Sequence, residues 1–95
     1  MAVKFLMEIG FIFKNDTKYK RIAGGTNLSY TDDLSCLNIV NKNIKIKTKN
    51  GDFIFEVKSV DIFSSISGFL NIGLTLYDSI EFDFVNIRDK VYIMS

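Results

Sequence analysis

KNIKIKTKNGDFIFEVK, residues 42–58, is the stretch whose reading decides the fold. Ile44 and Ile46 alternate with Lys45 and Lys47, and Phe53, Phe55 and Val57 alternate with Ile54 and Glu56. A period of two with one apolar face is the signature of a half-buried strand. Between the two runs stands Asn50-Gly51, the pair preferred in a type I′ hairpin turn, where both central residues need a positive φ. That turn predicts Lys49 opposite Asp52, Lys45 opposite Glu56, Ile46 opposite Phe55 and Ile44 opposite Val57. Opposite charges then meet on one side and apolar groups on the other, as a credible register requires.

The same period extends outward from this hairpin. Val3, Phe5, Met7, Ile9, Phe11 and Phe13 alternate with Lys4, Glu8, Gly10 and Lys14. They predict a strand that buries its odd-numbered face, with a bulge or bend at Gly10. In VDIFSSISGFLNIG, residues 60–73, Val60, Ile62 and the run from Phe69 read as strand. Ser64 to Gly68 reads as the place where the chain bends. Ile72, Leu74 and Leu76, then Ile80, Phe82 and Phe84, then Val91 and Ile93 predict a three-stranded meander. Its loops are Tyr77-Asp78-Ser79 and Asn86 to Asp89. Lys18 to Ala23 predicts a short strand ahead of a flexible Gly24-Gly25-Thr26 turn. Thr31 as an N-cap, with Leu34, Leu37 and Val40 at helical spacing, predicts one short helix.

At 95 residues the chain is read as a single domain, residues 1–95, mainly β. The expected architecture is a small closed or partly open β-barrel of about six to seven mostly antiparallel strands with one short helix. The chain contains no proline, so sheet edges must be managed by lysines, bulges, closure or a partner. The single cysteine, Cys36, forms no disulfide within the chain, which suits a reducing, cytoplasmic setting. Glu8 interrupts the apolar N-terminal run, which argues against a signal peptide, and no run approaches the roughly 18 apolar residues of a membrane helix. Residues 1–50 carry a formal charge of +5 and residues 51–95 one of −4, against a net +1.

The chain has no histidine, which removes Ser-His and Cys-His nucleophilic pairs, histidine metal sites and imidazole acid–base chemistry. One cysteine excludes a zinc site built from several. Gly24-Gly25-Thr26 matches neither phosphate-binding glycine pattern. Ser64, Ser65 and Ser67 have no base nearby in sequence, and Glu81, Asp83 and Asp89 read as a solvated face. The chain is therefore expected to be no enzyme and to carry no cofactor or metal.

The functional signal is basic. Lys14, Lys18, Lys20 and Arg21 surround Tyr19, and Lys45, Lys47 and Lys49 line one face of the hairpin. Lysines around an aromatic ring suit a phosphate backbone with a stacked base. The same lysines also suit a second task, keeping exposed strand edges from pairing with other chains.

Two runs, VDIFSSISG at residues 60–68 and FVNIRDKVYI at residues 84–93, resemble the second-domain β-barrel of translational GTPases such as elongation factor Tu. The resemblance covers about a third of the chain. An additional serine stands between Phe63 and Ile66, and Arg88 replaces a glycine before Asp89. It implies a small barrel used against RNA or protein, and no GTPase activity, since no P-loop is present. The expectation drawn from all of this is a binding module for a protein or nucleic-acid partner. The alternative is a small inhibitor or immunity protein of a phage or other mobile element that blocks a protein partner. Exposed edges would also allow a homodimer by strand pairing.

Overall fold

A computed structural model describes residues 3–13, 19–29 and 31–94. Six strands form, β1 (Val3–Phe13), β2 (Tyr19–Gly25), β3 (Asn43–Thr48), β4 (Gly51–Ser64), β5 (Leu70–Tyr77) and β6 (Lys90–Met94). They close into a barrel in the order β1-β2-β5-β4-β3-β6, and every neighbouring pair is antiparallel. Each strand therefore has two hydrogen-bonded neighbours. Among the described residues no strand lacks a neighbour on either side, so the open edge strand on which a homodimer by edge pairing was expected is not found there. The expected short helix is a single 3-10 turn, Ser35–Leu37. Thr31 does not cap it. Asp32 instead accepts from the Ser29 N–H at 2.8 Å and Asp33 from the Ser35 N–H at 2.9 Å, so these acids close local turns. The Ser35 N–H, and then its hydroxyl, also hold the Asp33 carboxyl below its ordinary value of 3.8.

β1 is a strand over the expected residues, but its faces differ from the simple alternation. Its pairing shifts between Phe5 and Met7 against β6, and between Ile9 and Phe11 against β2. Each extra residue reverses the inward face. Leu6, Met7 and Ile9 are buried, while Val3, Phe5, Phe11 and Phe13 are exposed. Gly10 occupies the second bulge, as its place in the strand suggested.

The hairpin forms with a register two residues away from the expected one. Thr48 pairs with Gly51, Ile46 with Phe53 and Ile44 with Phe55, so Lys49 and Asn50 are the loop. Gly51 takes the positive φ of +121° and Asn50 does not, which excludes type I′. The Thr48 hydroxyl accepts from the Asn50 N–H at 3.1 Å and donates to the Gly51 carbonyl at 2.8 Å, fixing the turn one residue early. A shift of two leaves every side chain on its expected face, and Ile44, Ile46, Phe55 and Val57 all enter the core.

The expected C-terminal meander is not formed. Ile80–Phe84 is a 3-10 turn, with the Ser79 hydroxyl accepting from the Glu81 N–H. β5 pairs with β2 and β4 instead, and β6 joins β1 to β3. The alternation of Ile80, Phe82 and Phe84 has a different cause. Phe82 is buried edge-on against Phe55, Phe84 stacks on Phe53, and Ile80 stands in solvent. This turn thereby adds Phe82 to the barrel's core.

Gly24 and Gly25 belong to β2 rather than to a flexible turn. A Cβ on Gly24 would collide with the Glu8 backbone carbonyl, so the absence of a side chain lets β1 and β2 approach. The next residue, Thr26, is buried. Its hydroxyl donates to the Leu70 carbonyl at 2.8 Å and accepts from the Leu28 N–H at 3.1 Å, anchoring the crossover from β2 to β3. β4 runs to Ser64 and β5 starts at Leu70, so Ser65 to Phe69 is a loop joining two paired strands.

Candidate binding surface

Lys14 and Lys18 lie outside the described residues. Tyr19, Lys20 and Arg21 sit on β2, Lys45 and Lys47 on β3, and Lys49 in the turn after it. β2 and β3 stand three places apart in a ring of six, so the two basic groups occupy opposite walls of the barrel. Lys20 pairs with Asp78 and Lys45 with Asp52, each at 3.8 Å. The Lys45 ammonium also lies 5.8 Å from the centre of the Tyr92 ring. Tyr19 already holds a cation: the Lys58 ammonium sits 3.9 Å above its ring, with Tyr77 edge-on at 6.0 Å. Lys58 was invisible to the sequence reading because it occupies a bulge, between Val57 and Ser59. Lys47 faces Asp52 on one neighbour and Lys90 on the other.

Two apolar features went unread in the sequence. The first is a groove of about 190 Å³ on the outer wall of β1, β2, β5 and β4. Its floor follows from the register. Phe11, Ala23, Gly73 and Asp61 form one outward row across the four strands, and Phe13, Arg21, Thr75 and Ser59 form the next. Ala23 and Gly73 leave the middle of the wall low. Phe13 rises on one side and Phe63 on the other, and the Phe63 ring comes to 3.5 Å of where a Gly73 Cβ would stand. Arg21 and Asp61 line the groove from β2 and β4, and among the described residues neither belongs to an ion pair. The volume is below the about 300–1,000 Å³ of a drug-sized ligand site, and suits a single inserted side chain. Gly73 in mid-strand was the available signal, since glycine there marks a close approach.

The second feature is the loop between β4 and β5. Ile66 is 108% exposed, and Phe69, Ile62 and Phe63 beside it are 48%, 42% and 55% exposed. The loop is braced from within. The Ser65 N–H donates to the Phe69 carbonyl at 3.2 Å and the Gly68 N–H to the Ser65 carbonyl at 3.1 Å. The Ser65 hydroxyl reaches both the Phe69 carbonyl and the Ser67 hydroxyl. Gly68 supplies the φ of +88° that closes the turn. The serines thus shape the tip and are hydrogen-bonded to one another and to the backbone.

Glu81 and Asp83 belong to the 3-10 turn and not to a solvated strand face, and Asp89 accepts from the Asn86 N–H at 2.7 Å. Among the described residues no three histidine, cysteine or acidic side chains are gathered as metal ligands. Cys36 is half-buried against the core, beside a recess of about 150 Å³ also lined by Phe5, Leu28 and Ile93. No described helix is long and apolar enough to cross a membrane. The fold and its surface thus define a closed six-stranded antiparallel β-barrel with an aromatic outer wall and an apolar tip. No protein-family model, curated protein or solved structure matches the chain.

Proposed function

We propose that this barrel is a non-enzymatic binding module whose β4–β5 tip enters an apolar recess of a protein partner. The observation that carries this reading is Ile66, wholly exposed on a loop that its own hydrogen bonds hold in shape. A solvent-facing isoleucine on a braced turn is already ordered, so less conformational entropy is lost on docking. The division of the basic residues between opposite walls favours a protein over a nucleic-acid strand, which needs a continuous basic track.

The test is a photo-crosslinking residue placed at position 66, compared with one at position 47, in cells that naturally produce the chain. The expected result is a defined protein adduct at position 66 alone. It should be lost when the neighbouring Phe69 is changed to Asp while the unfolding midpoint stays unchanged. Adducts to RNA, or equal labelling at both positions, would sink the proposal. The second reading, an inhibitor that blocks its partner, draws on the same projecting tip. It predicts that the crosslinked partner, once purified, loses its own activity on adding the wild-type barrel and keeps it on adding Ile66→Asp.

A further inference from the structure

We infer that the second half of β4 is a docking border for an extended segment of a protein partner, which adds to the barrel as a strand beside Val60, Ile62 and Ser64. No strand is an edge along its whole length, but the strands are staggered and β4 outruns its neighbour on one side. β3 pairs with it only as far as Glu56, and the pairing with β5 starts at Val57. On the β3 side Val57 still exchanges hydrogen bonds with Asn41 and Lys42, at 2.7 and 2.9 Å. There the chain turns away from β4: Asn41 takes a φ of 64°, and the Lys42 N–H closes a turn on the Ile39 carbonyl. From Lys58 to Ser64 no described backbone group bonds to that side of the strand.

The groups left open follow from the alternation of a strand. The Ser65 N–H donates to the Phe69 carbonyl, so Ser65, and with it Phe63, Asp61 and Ser59, direct their backbone groups at β5. Val60, Ile62 and Ser64 direct theirs the other way, as Val57 does on the far side of the bulge at Lys58. A row of unpaired N–H and C=O groups is a template for a further strand. Burial agrees with an absent neighbour. Ile62 and Ile72 are register partners, yet Ile72 is 0% exposed and Ile62 42%. Asp61, Ile62, Phe63 and Ser64 are all exposed, whichever face they belong to. The side chains define the occupant. A strand laid here sets its inward residues beside Ile62 and beside Val60, which packs against the core. It sets an outward residue beside Asp61, which belongs to no ion pair among the described residues. The complement is an extended segment that alternates apolar residues with a basic one. This border and the Ile66 tip rest on different observations, so either assignment can fail without the other.

Amide hydrogen exchange of the chain alone should find Val60, Ile62 and Ser64 unprotected, and Asp61 and Phe63 protected, at every concentration. The probe for the added strand is a synthetic peptide with capped ends and the sequence TVKVKVT, which offers a lysine to Asp61 in either strand direction. In an NMR titration it should shift and protect the Val60, Ile62 and Ser64 amides. The peptide TVEVEVT should bind about threefold or more weaker, and Asp61→Lys should reverse that preference. Ser64→Pro removes an N–H that the barrel does not use, so it should keep the parent's unfolding midpoint and weaken the peptide. Ile66→Asp should leave the titration unchanged. The inference is overturned if the three amides are protected in the chain alone, either at all concentrations by its own residues or increasingly with concentration by a second copy. It is equally overturned if neither peptide moves them, if both peptides bind alike, or if a folded Ser64→Pro chain binds as the parent does.

Discussion

A methyl group at Gly24 and a methyl group at Gly73 are the same chemical change in two neighbouring strands, and the structure assigns them opposite outcomes. At Gly24 the new Cβ runs into the Glu8 carbonyl and its carbon, which are backbone atoms of a paired strand and cannot swing aside. Gly24→Ala should therefore cost about 1–3 kcal/mol, the range of overpacked cores. At Gly73 the nearest atom is on the Phe63 ring at 3.5 Å, an ordinary contact. Gly73→Ala should be neutral or stabilising by about 0.4–1 kcal/mol, since alanine has fewer unfolded conformations to lose. Urea unfolding midpoints of the two variants check the contrast. Equal midpoints would mean that β1 and β2 do not approach as closely as the Glu8–Gly25 pairing implies.

A strand and a 3-10 turn can share the same short apolar pattern, and Ile80–Phe84 separates them by what each side chain touches. As a strand, Ile80, Phe82 and Phe84 would share one face and similar burial. In the turn, Phe82 is 1% exposed and Ile80 is 89% exposed. Phe82→Ala should cost about 3–5 kcal/mol and Ile80→Ala no more than about 0.5 kcal/mol, measured by thermal or denaturant unfolding. Comparable losses at both positions would restore the strand. The element level is also where the sequence was most and least readable. The strands at 43–64 and 70–77, and the bend between them, were visible in the period of two. The faces of β1 were not, because an extra residue leaves the apolar spacing unchanged while reversing what is buried. The hairpin register was missed by two residues because Thr48, not Asn50, supplies the hydrogen bonds of the turn.

At the scale of the molecule, pairing between distant residues dominates, and closure joins Val3–Glu8 to Lys90–Met94. That arrangement explains why the candidate site was only partly legible. Lysine-rich strands can be read one at a time, but whether two of them share a wall depends on strand order, which local spacing does not encode. The groove was hidden for the same reason, since its floor and walls come from four strands. One strand carries much of the closure: β6 is the second neighbour of both β1 and β3. A chain ending at Asp89 should thus lose cooperative unfolding and associate, as read by circular dichroism and light scattering. A truncated chain that stays monomeric and melts as sharply as the parent would contradict the topology.

The position of β6 has a consequence in time. Synthesis delivers this strand after all the others, so until it arrives β1 and β3 both present open backbone. Lys45 and Lys47 lie along that temporary border of β3. Lysines along an exposed strand border disfavour pairing with other chains, and β3 carries two of them there. Lys45, which pairs with Asp52 in the finished barrel, thus also stands on an open border while the barrel is being made.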